Sequence, residues 1–470
     1  PAPAMQGATG VAASTSEAWL QTYDPLGSPW LSTLCASLPI VVLLGSLAFL
    51  HIKAHRAALM GLATALLMSI AVFRMPVPAA SAAALAGAAF GLLPIGWIII
   101  NVIFLYSLTE ERGLFSVLKE SLAGVTQDPR LQLLLIAFCF GAFFEGAAGF
   151  GTPVAVTAAI LIGLGFDPLS ASGLSLIANT APVAFGALGT PIIALKGVTG
   201  IDEHTLSAMV GRQLPFFSLI VPFWLVWAYA GVRRMWEVWP ALLVAGVCFA
   251  VPQFLMSNFH GPWLVDIVAS VASMGALTLF LLKWHPRSTP ARTGTPATQV
   301  YGRREILRAW TPWVILTLLV FLWGMPQVKA ALDSISTVRI AVPALHERVV
   351  RVPPVVAVAK IEEARYAFNW LSTTGTGILV AGIISAFVMG FRPQEIARAW
   401  WATLKRVRFS LLTVAAMLSL GYLTRYSGMD ATLGLAFAQT GVLYPFFGTL
   451  LGWLGVALTG SDTSSNVLFG

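Results

Sequence analysis

The fold is decided by residues 131–160, which read LQLLLIAFCFGAFFEGAAGFGTPVAVTAAI. The first part of this stretch is apolar over most of the roughly 20 residues that a membrane-spanning helix needs. Glu145, several glycines and Pro153 then interrupt it. Backbone that leaves helical geometry inside a bilayer must be buried in protein or face a watery cavity, because lipid cannot satisfy its polar groups. The stretch therefore predicts a membrane helix that breaks in the protein interior.

The rest of the chain has the composition of a membrane protein. Of its 470 residues, 57% are hydrophobic and only 10% are charged, whereas soluble proteins carry about 25% charged residues. With the Gly-rich region between residues 131 and 195, the apolar runs predict about twelve membrane-embedded segments, the other runs being 31–52, 57–73, 91–108, 214–231, 239–256, 264–282, 311–324, 374–390, 410–423 and 441–459. Strands of a membrane barrel would instead alternate over about ten residues. The fold class expected is an all-α polytopic membrane protein.

Two further stretches place Gly, Pro, Ser, Thr or Asn at membrane depth. They are ANTAPVAFGALGTP at residues 178–191 and TGSDTSSN at residues 459–466. Broken helices at corresponding places in two halves of a chain point to the substrate site of a transporter. We therefore predict two pseudo-repeated halves with broken helices or re-entrant hairpins, joined by a Pro-, Thr- and Arg-rich linker. The N-terminal half is 1–282 with breaks at 145–153 and 178–191, the linker is 283–310, and the C-terminal half is 311–470 with a break at 459–466.

The net charge of +8 fits the distribution of loop charges in a membrane protein better than it fits nucleic-acid binding. When successive loops are assigned to alternate sides, 18 of the 28 Lys and Arg residues fall on one side. The richer side is expected to be cytoplasmic, and it includes the linker and an amphipathic interfacial helix at 391–408. The N-terminus, which has no Lys or Arg in its first thirty residues, should lie outside. Residues 326–372 form the longest external stretch and should be ordered.

Glu145 is the strongest candidate for carrying a coupled proton. No Lys or Arg lies within several positions of it, and an ionised carboxylate is costly at membrane depth, so we expect the group to exchange protons readily. Glycines let backbone approach a small ligand closely, and a half-helix that begins near Thr152 would favour an anion. The glycines concerned are Gly146, Gly149 and Gly151. The alternative is that Glu145 only caps a helix end at the membrane interface.

Asp462 is the second candidate for proton coupling. The small polar residues around it can replace the hydration shell of a carboxylate or a cation, and they are Ser461, Thr463, Ser464, Ser465 and Asn466. An ordinary N-cap on an exposed loop would explain the same pattern. In the second break, Asn179 and Thr180 either donate hydrogen bonds to a ligand or bridge helices. Asp266 is expected to be interfacial rather than functional.

A monocarboxylate substrate should meet a positive group, and the candidates, all on the external side, are Lys196, Lys360, Arg365 and Arg425. Metals and cofactors are not expected. Three cysteines, Cys35, Cys139 and Cys248, sit within apolar segments and have neither a disulfide-framework nor a metal-ligand spacing. The six histidines are scattered.

Five stretches closely resemble the bacterial L-lactate permease family. They are YDPLGSPWLSTLCASLPI at 23–40, FFEGAAGFGTPVA at 143–155, IANTAPVAFGALGTP at 177–191, VTGIDEHTLSAMVGRQLPF at 198–216 and LTGSDTSSN at 458–466. The resemblance implies a bacterial inner-membrane symporter that moves lactate, and commonly glycolate, with protons. The candidates named above for proton coupling and for the breaks, other than Thr152 and Thr463, match the family's motif positions, while their individual roles follow from chemistry. Members of the family continue past the last motif with further helices, so the resemblance implies more chain beyond Gly470.

Other functions fit parts of this pattern. An organic-anion carrier coupled to sodium fits the interrupted helices nearly as well, and only the resemblance separates it from a proton-coupled lactate carrier. An intramembrane protease would need a nucleophile–base pair or paired aspartates at matched depth, which the sequence does not suggest, so we do not expect an enzyme. A channel is less well suited, because an acidic residue beside Gly-rich breaks favours a coupled carrier. The expected partners are a small monocarboxylate, protons and membrane lipid; the oligomeric state stays open.

Overall fold

The computed structural model describes residues 18–147, 152–286, 301–459 and 462–469. Within these ranges the chain is mainly helical. The helices in chain order are α1 Pro29–Ala48, α2 Ala54–Ala71, α3 Val77–Glu111, α4 Leu114–Ala123, α5 Pro129–Ala147, α6 Thr152–Gly163, α7 Pro168–Asn179, α8 Gly186–Thr199, α9 Glu203–Val210, α10 Leu214–Ala230, α11 Val232–Trp236, α12 Trp239–Phe259, α13 Val265–Leu281, α14 Arg303–Gly324, α15 Pro326–Ser336, α16 Thr374–Val388, α17 Pro393–Ser427, α18 Met429–Ala438, α19 Tyr444–Thr459 and α20 Asp462–Phe469.

Each predicted apolar segment coincides with a helix or a bent pair of helices. In the described part of the chain, seven helices are long and apolar enough to cross a membrane, namely α1, α2, α3, α5, α12, α14 and α17. Three bent pairs also qualify: α7 with α8, α9 with α10, and α18 with the helix that follows it. The shorter apolar helices α13 and α16 account for the two remaining segments. The protein is therefore a polytopic α-helical membrane protein.

The stretch 326–372, predicted to be external, is ordered and carries four of the five strands in the described part of the chain. Its strands are β2 Thr337–Ala341, β3 Val349–Arg351, β4 Lys360–Ile361 and β5 Arg365–Asn369, and β1 Trp19–Leu20 precedes the first helix. Strands β2 and β5 pair antiparallel, and β3 pairs antiparallel with β4. Strand β1 pairs parallel with β3, with Trp19 opposite Val349. Strand β1 therefore lies on the same side as the stretch 326–372.

Two helices are longer than the sequence predicted. The segment 391–408 is not a separate interfacial helix, because it forms the first half of α17, which continues to Ser427. No Gly or Pro lies between Pro393 and Gly421, so nothing in the sequence ends the helix at the membrane surface. In the same way, α14 begins at Arg303, inside the predicted linker 283–310.

Three side-chain contacts can be compared with the two sides that the loop charges predict. On the Lys- and Arg-rich side, the Arg112 guanidinium donates to the carbonyl of Gly390 at 3.1 Å, and Arg406 lies 4.0 Å from Glu110. On the other side, Arg425 lies 3.5 Å from Glu362. Each of these contacts joins two segments of the same predicted side.

Helix α5 is the innermost helix, and every residue of it is buried. Arg130 near its start is only 1% exposed and is neutralised by two carboxylates at 2.7 Å, those of Asp128 and Glu237. Arg130 also donates to the carbonyl of Arg234 at 2.9 Å. A buried guanidinium needs such paired and hydrogen-bonded surroundings. These bonds fix the start of α5 to α11.

Helices α5 and α6 enter and leave on one side of the protein. The ring of Phe166, just after α6, packs 5.0 Å from that of Tyr229 at the end of α10. Tyr229 lies beside the short helix α11, which also holds Arg130 through the carbonyl of Arg234. The start of α5 and the end of α6 therefore contact the same region, as expected for a re-entrant hairpin.

Candidate functional site

The Glu145 carboxyl group lies in the last turn of α5, in the protein interior. Its residue is 4% exposed, and Oε2 has no hydrogen-bond partner among the residues that the structure describes. The side chain of Asn179, the last residue of α7, lies close to this carboxyl group. Glu145 is therefore not a cap at the membrane interface. It is a buried acid with an amide as its neighbour.

The second break brings α8 directly onto Glu145. Helix α7 ends at Asn179, and α8 begins at Gly186. A Cβ added at Gly186 would lie 3.1 Å from the Glu145 Cδ atom, so only glycine leaves room for the carboxyl group. The residues that follow, Ala187, Leu188 and Gly189, have φ values of 44°, 55° and 78°, a left-handed turn that non-glycine residues rarely adopt.

Polar side chains of neighbouring helices satisfy the backbone that this break frees. The buried amide of Gln253 in α12 donates to the carbonyl of Ala181 at 3.0 Å. Its oxygen accepts a 2.7 Å bond from the Ser218 hydroxyl in α10. Such partners are what irregular backbone requires at membrane depth. By contrast, Thr180 is exposed, so of the two polar residues predicted for this break only Asn179 faces Glu145.

The third predicted break is shorter than 459–466. Helix α19 ends at Thr459 and α20 already begins at Asp462, so the polar run occupies the first turns of a helix. Asp462 is close enough for its charge to act on Glu145. Asn466 donates to the carbonyl of Pro191 in α8 at 3.2 Å. The C-terminal polar run therefore meets the second break of the N-terminal half.

The other predicted residues of this run and of the first break have different positions. Thr463 and Ser465 are buried, and Ser465 donates to the carbonyl of Gly452 in α19 at 3.1 Å. Gly146 lies in α5, Thr152 begins α6 and Ser464 lies within α20. The predicted residues Gly149, Gly151 and Ser461 lie outside the described residues.

Asp266 also lies in this interior, and the prediction that it is interfacial is wrong. It is 1% exposed, rather than interfacial, and both carboxylate oxygens are buried without a hydrogen-bond partner in the described structure. Helix α13 begins at Val265 and packs against α5. In the sequence, Asp266 is a carboxylate at the start of an apolar run. A residue at the membrane interface has the same pattern, so the sequence does not distinguish the two positions.

A cavity of about 940 Å³ lies on the side of these residues that is predicted to be external, between the membrane helices and the paired strands β2 and β5. Its charged lining residues are Lys196, Glu203, Lys329, Asp333, Arg339 and Arg365. Cations outnumber carboxylates among them, so the cavity favours anions. Trp263 also lines it, three residues before Asp266 in the chain.

The predicted cations separate into two groups. Lys196 and Arg365 line the cavity, and the ammonium of Lys196 lies 3.0 Å from Glu203. Arg425 instead binds Glu362 and donates to the carbonyl of Val198 at 3.0 Å. Lys329 was not among the cations predicted from the sequence to meet the substrate. It reaches Glu203 from the opposite wall and lies 5.0 Å above the Trp263 ring.

Among the described residues, no group of three or more His, Cys, Asp or Glu side chains is placed to hold a metal ion. The interior instead combines buried carboxyl groups, an amide and the ends of broken helices, below a cavity with excess positive charge. Such an arrangement can take up a proton and a small anion without a metal.

Comparison with known proteins gives matches over nearly the whole chain. The family model described as L-lactate permease matches residues 32–470. An L-lactate permease of Escherichia coli (strain K12) is 46% identical over 464 residues, covering 96% of this chain and 84% of that protein. A glycolate permease of the same strain is 46% identical over 474 residues, with the same coverage. An L-lactate permease of Bacillus subtilis (strain 168) is 43% identical over 486 residues, covering 96% of this chain and 85% of that protein.

No solved structure was found to match the chain. The family match extends over the buried acid of α5, both breaks around it and the polar run of α20. The relatives are similar over the same length. The chain belongs to the L-lactate permease family.

Proposed function

We propose that this protein carries L-lactate and related small 2-hydroxymonocarboxylates, such as glycolate, across the bacterial inner membrane together with protons. The observation that carries the proposal is Glu145, a buried acid at the convergence of α5, α8 and α20 with no cation beside it among the described residues. A charge there is costly, so the group gains by binding a proton. The relatives named as lactate and glycolate permeases support the substrate class.

Uptake of labelled lactate into proteoliposomes tests this function. An imposed pH gradient, acid outside, should drive accumulation above equilibrium, and a protonophore should abolish it. Glycolate should compete. Accumulation that follows a sodium gradient instead would favour the sodium-coupled alternative. Equilibration without accumulation under either gradient would favour a channel.

We also propose that the Lys- and Arg-rich side is cytoplasmic. Cysteines introduced in the linker at 283–310 should then be protected from an impermeant thiol reagent in intact cells, whereas one near Thr15 should be labelled. The background chain should lack Cys35, Cys139 and Cys248, which are its three native thiols. Labelling of the linker together with protection near Thr15 would invert the orientation.

The external cavity should capture the substrate anion before it reaches the interior. Lys329→Gln should raise the KM for external lactate about 3- to 10-fold at low ionic strength, because the cavity loses part of its attractive field. The effect should shrink as salt is added. It is measured from initial uptake rates over a range of lactate and salt concentrations.

Lys360→Gln is the matched control for Lys329→Gln. Lys360 lies in β4 on the same side, is exposed and does not line the cavity. The control removes the same charge and should leave the KM nearly unchanged. Equal changes in the two variants would show that only the overall surface charge matters.

A further inference from the structure

Asp266 is a buried acid that the proposed function has not yet used. It lies in the first turn of α13, a helix of 17 residues. Its Oδ1 and Oδ2 atoms are both buried and have no hydrogen-bond partner among the described residues. Leaving such a group ionised and unpaired in a protein interior is expensive. The contrast is Asp128, which is equally buried but bonds Arg130 at 2.7 Å.

Asp266 and Glu145 are neighbours across the contact between α13 and α5. Gly146, the residue after Glu145, packs against Asp266 so closely that an added Cβ would lie 2.7 Å from the Asp266 Cβ. It would also lie 3.2 Å from the backbone nitrogen of Ile267. Glu145 is close enough to Asp266 for an electrostatic interaction between their carboxyl groups. Two buried carboxyl groups, those of Glu145 and Asp266, therefore lie at the same contact between α5 and α13.

Few other charged groups act on this pair. Asp462 at the start of α20 acts on Glu145, and it adds negative rather than positive charge. The charged residue of α8, Lys196, lies at the far end of that helix, where it bonds Glu203. Helix α12, which packs against α13, carries no Asp, Glu, Lys or Arg. Two ionised carboxylates would therefore repel each other in surroundings that supply no counter-charge from these elements.

The two carboxyl groups lie at opposite kinds of helix end. Asp266 lies at the N-terminus of α13, where the helix dipole stabilises negative charge. Glu145 lies in the last turn of α5, where the dipole has the opposite sign and disfavours a carboxylate. The helix dipoles thus favour the proton on Glu145, whereas the lack of hydrogen-bond partners among the described residues favours it on Asp266, and one proton can pass between the two groups.

We propose that Glu145 and Asp266 form one proton-binding pair, which holds a single proton near neutral pH and exchanges it through Asp266. Trp263 lines the external cavity, and Asp266 follows it by three residues in the chain. Asp266 is therefore closer in sequence than Glu145 to a residue that lines the cavity. The proton moves from the Glu145 carboxyl oxygen to an Asp266 oxygen, and no other bond changes. This inference rests on the proposed proton symport and adds Asp266 as a second proton-exchanging residue.

Infrared difference spectroscopy tests the pair without any transport. The purified protein in lipid should show, at neutral pH, the carbonyl stretch of a protonated carboxyl group that disappears as pH is raised. Asp266→Asn and Glu145→Gln should each lower the pH at which this band disappears, because each leaves one carboxyl group with an amide donor and no repelling partner. Asp167→Asn is the control: Asp167 is an N-cap whose carboxylate accepts from Ser170 at 3.0 Å, and its loss should leave the band unchanged.

Several outcomes would overturn the pair. They are absence of the band in the parent protein, a band in Asp266→Asn with the same pH dependence as the parent's, and a band removed by sodium rather than by pH. Asp266→Glu should restore the parent's pH dependence, which separates loss of the proton site from misfolding. The size-exclusion profile of each variant checks folding independently.

Transport supplies the second measurement. Asp266→Asn should lower pH-driven lactate accumulation at least about 10-fold, toward the range typical of a lost proton-transfer group, while lactate exchange at equal pH continues. Failure of the parent itself to accumulate lactate would contradict the proposed function, and the spectrum would still decide the pair. Accumulation at the parent's level in Asp266→Asn would refute the role of Asp266.

Discussion

Glu145→Gln should reduce pH-driven accumulation of lactate by about 100-fold or more, the size expected when a proton-transferring side chain is lost. Glutamine has nearly the shape of glutamic acid and can remain beside Asn179 and Gly186, so the site should keep its form. It cannot release a proton, so substrate movement is no longer tied to the pH gradient. Exchange of internal for external lactate should therefore persist in proteoliposomes.

Glu110→Gln is a suitable control for this variant. Glu110 lies near the end of α3 with its side chain 54% exposed. Ion pairs of such exposed carboxylates contribute little to stability. Its replacement should leave both accumulation and exchange near the parent's level. A Glu145→Gln protein that accumulates lactate as well as the parent would show that the coupled proton binds elsewhere.

The sequence was sufficient to predict the membrane fold. Apolar runs of spanning length are a direct consequence of the bilayer's thickness, and each of them became a helix or a bent pair. The break between α7 and α8 was also predictable, since it lies within the predicted stretch 178–191. Gly, Pro and polar residues have few other reasons to occur together at membrane depth.

Tertiary convergence could not be predicted from the sequence. Asp266 resembles an interfacial residue until α13 is placed against α5, because its burial depends on Gly146, which is 120 positions earlier in the chain. Lys329 acquires its place in the cavity only when α15 folds back toward Glu203. The pairing of β1 with β3 likewise joins residues far apart in sequence.

The ends of helices were hard to predict for a more local reason. Ser, Thr, Asp and Asn are common both in loops and in the first turn of a helix. The run from Asp462 to Asn466 therefore suggested a break, although it begins α20. The structure uses the same polar groups differently, since Asn466 bonds the carbonyl of Pro191 and so links α20 to α8.

The contact between α3 and α17 should be the most sensitive to added volume. Gly87 faces backbone rather than side chains: an added Cβ would lie 2.7 Å from the carbonyl carbon of Leu418 and 2.7 Å from the Cα of Ser419. Small residues allow such close approach of membrane helices. The hydroxyl of Ser419 also donates to the carbonyl of Ala84 at 2.7 Å, a bond that separating the helices would break.

Gly87→Ala should therefore lower the free energy of unfolding by about 3 kcal/mol, the upper part of the usual range for overpacking, because neither backbone can yield without moving its helix. Equilibrium unfolding in mixed micelles, followed by far-UV circular dichroism, measures the change. Gly275→Ala is the matched control, since Gly275 lies within α13 and a Cβ there meets no atom within 4 Å. Alanine at that position should be neutral or stabilise by up to about 1 kcal/mol through its higher helix propensity. Equal stability of the two variants would mean that α3 and α17 can separate at little cost.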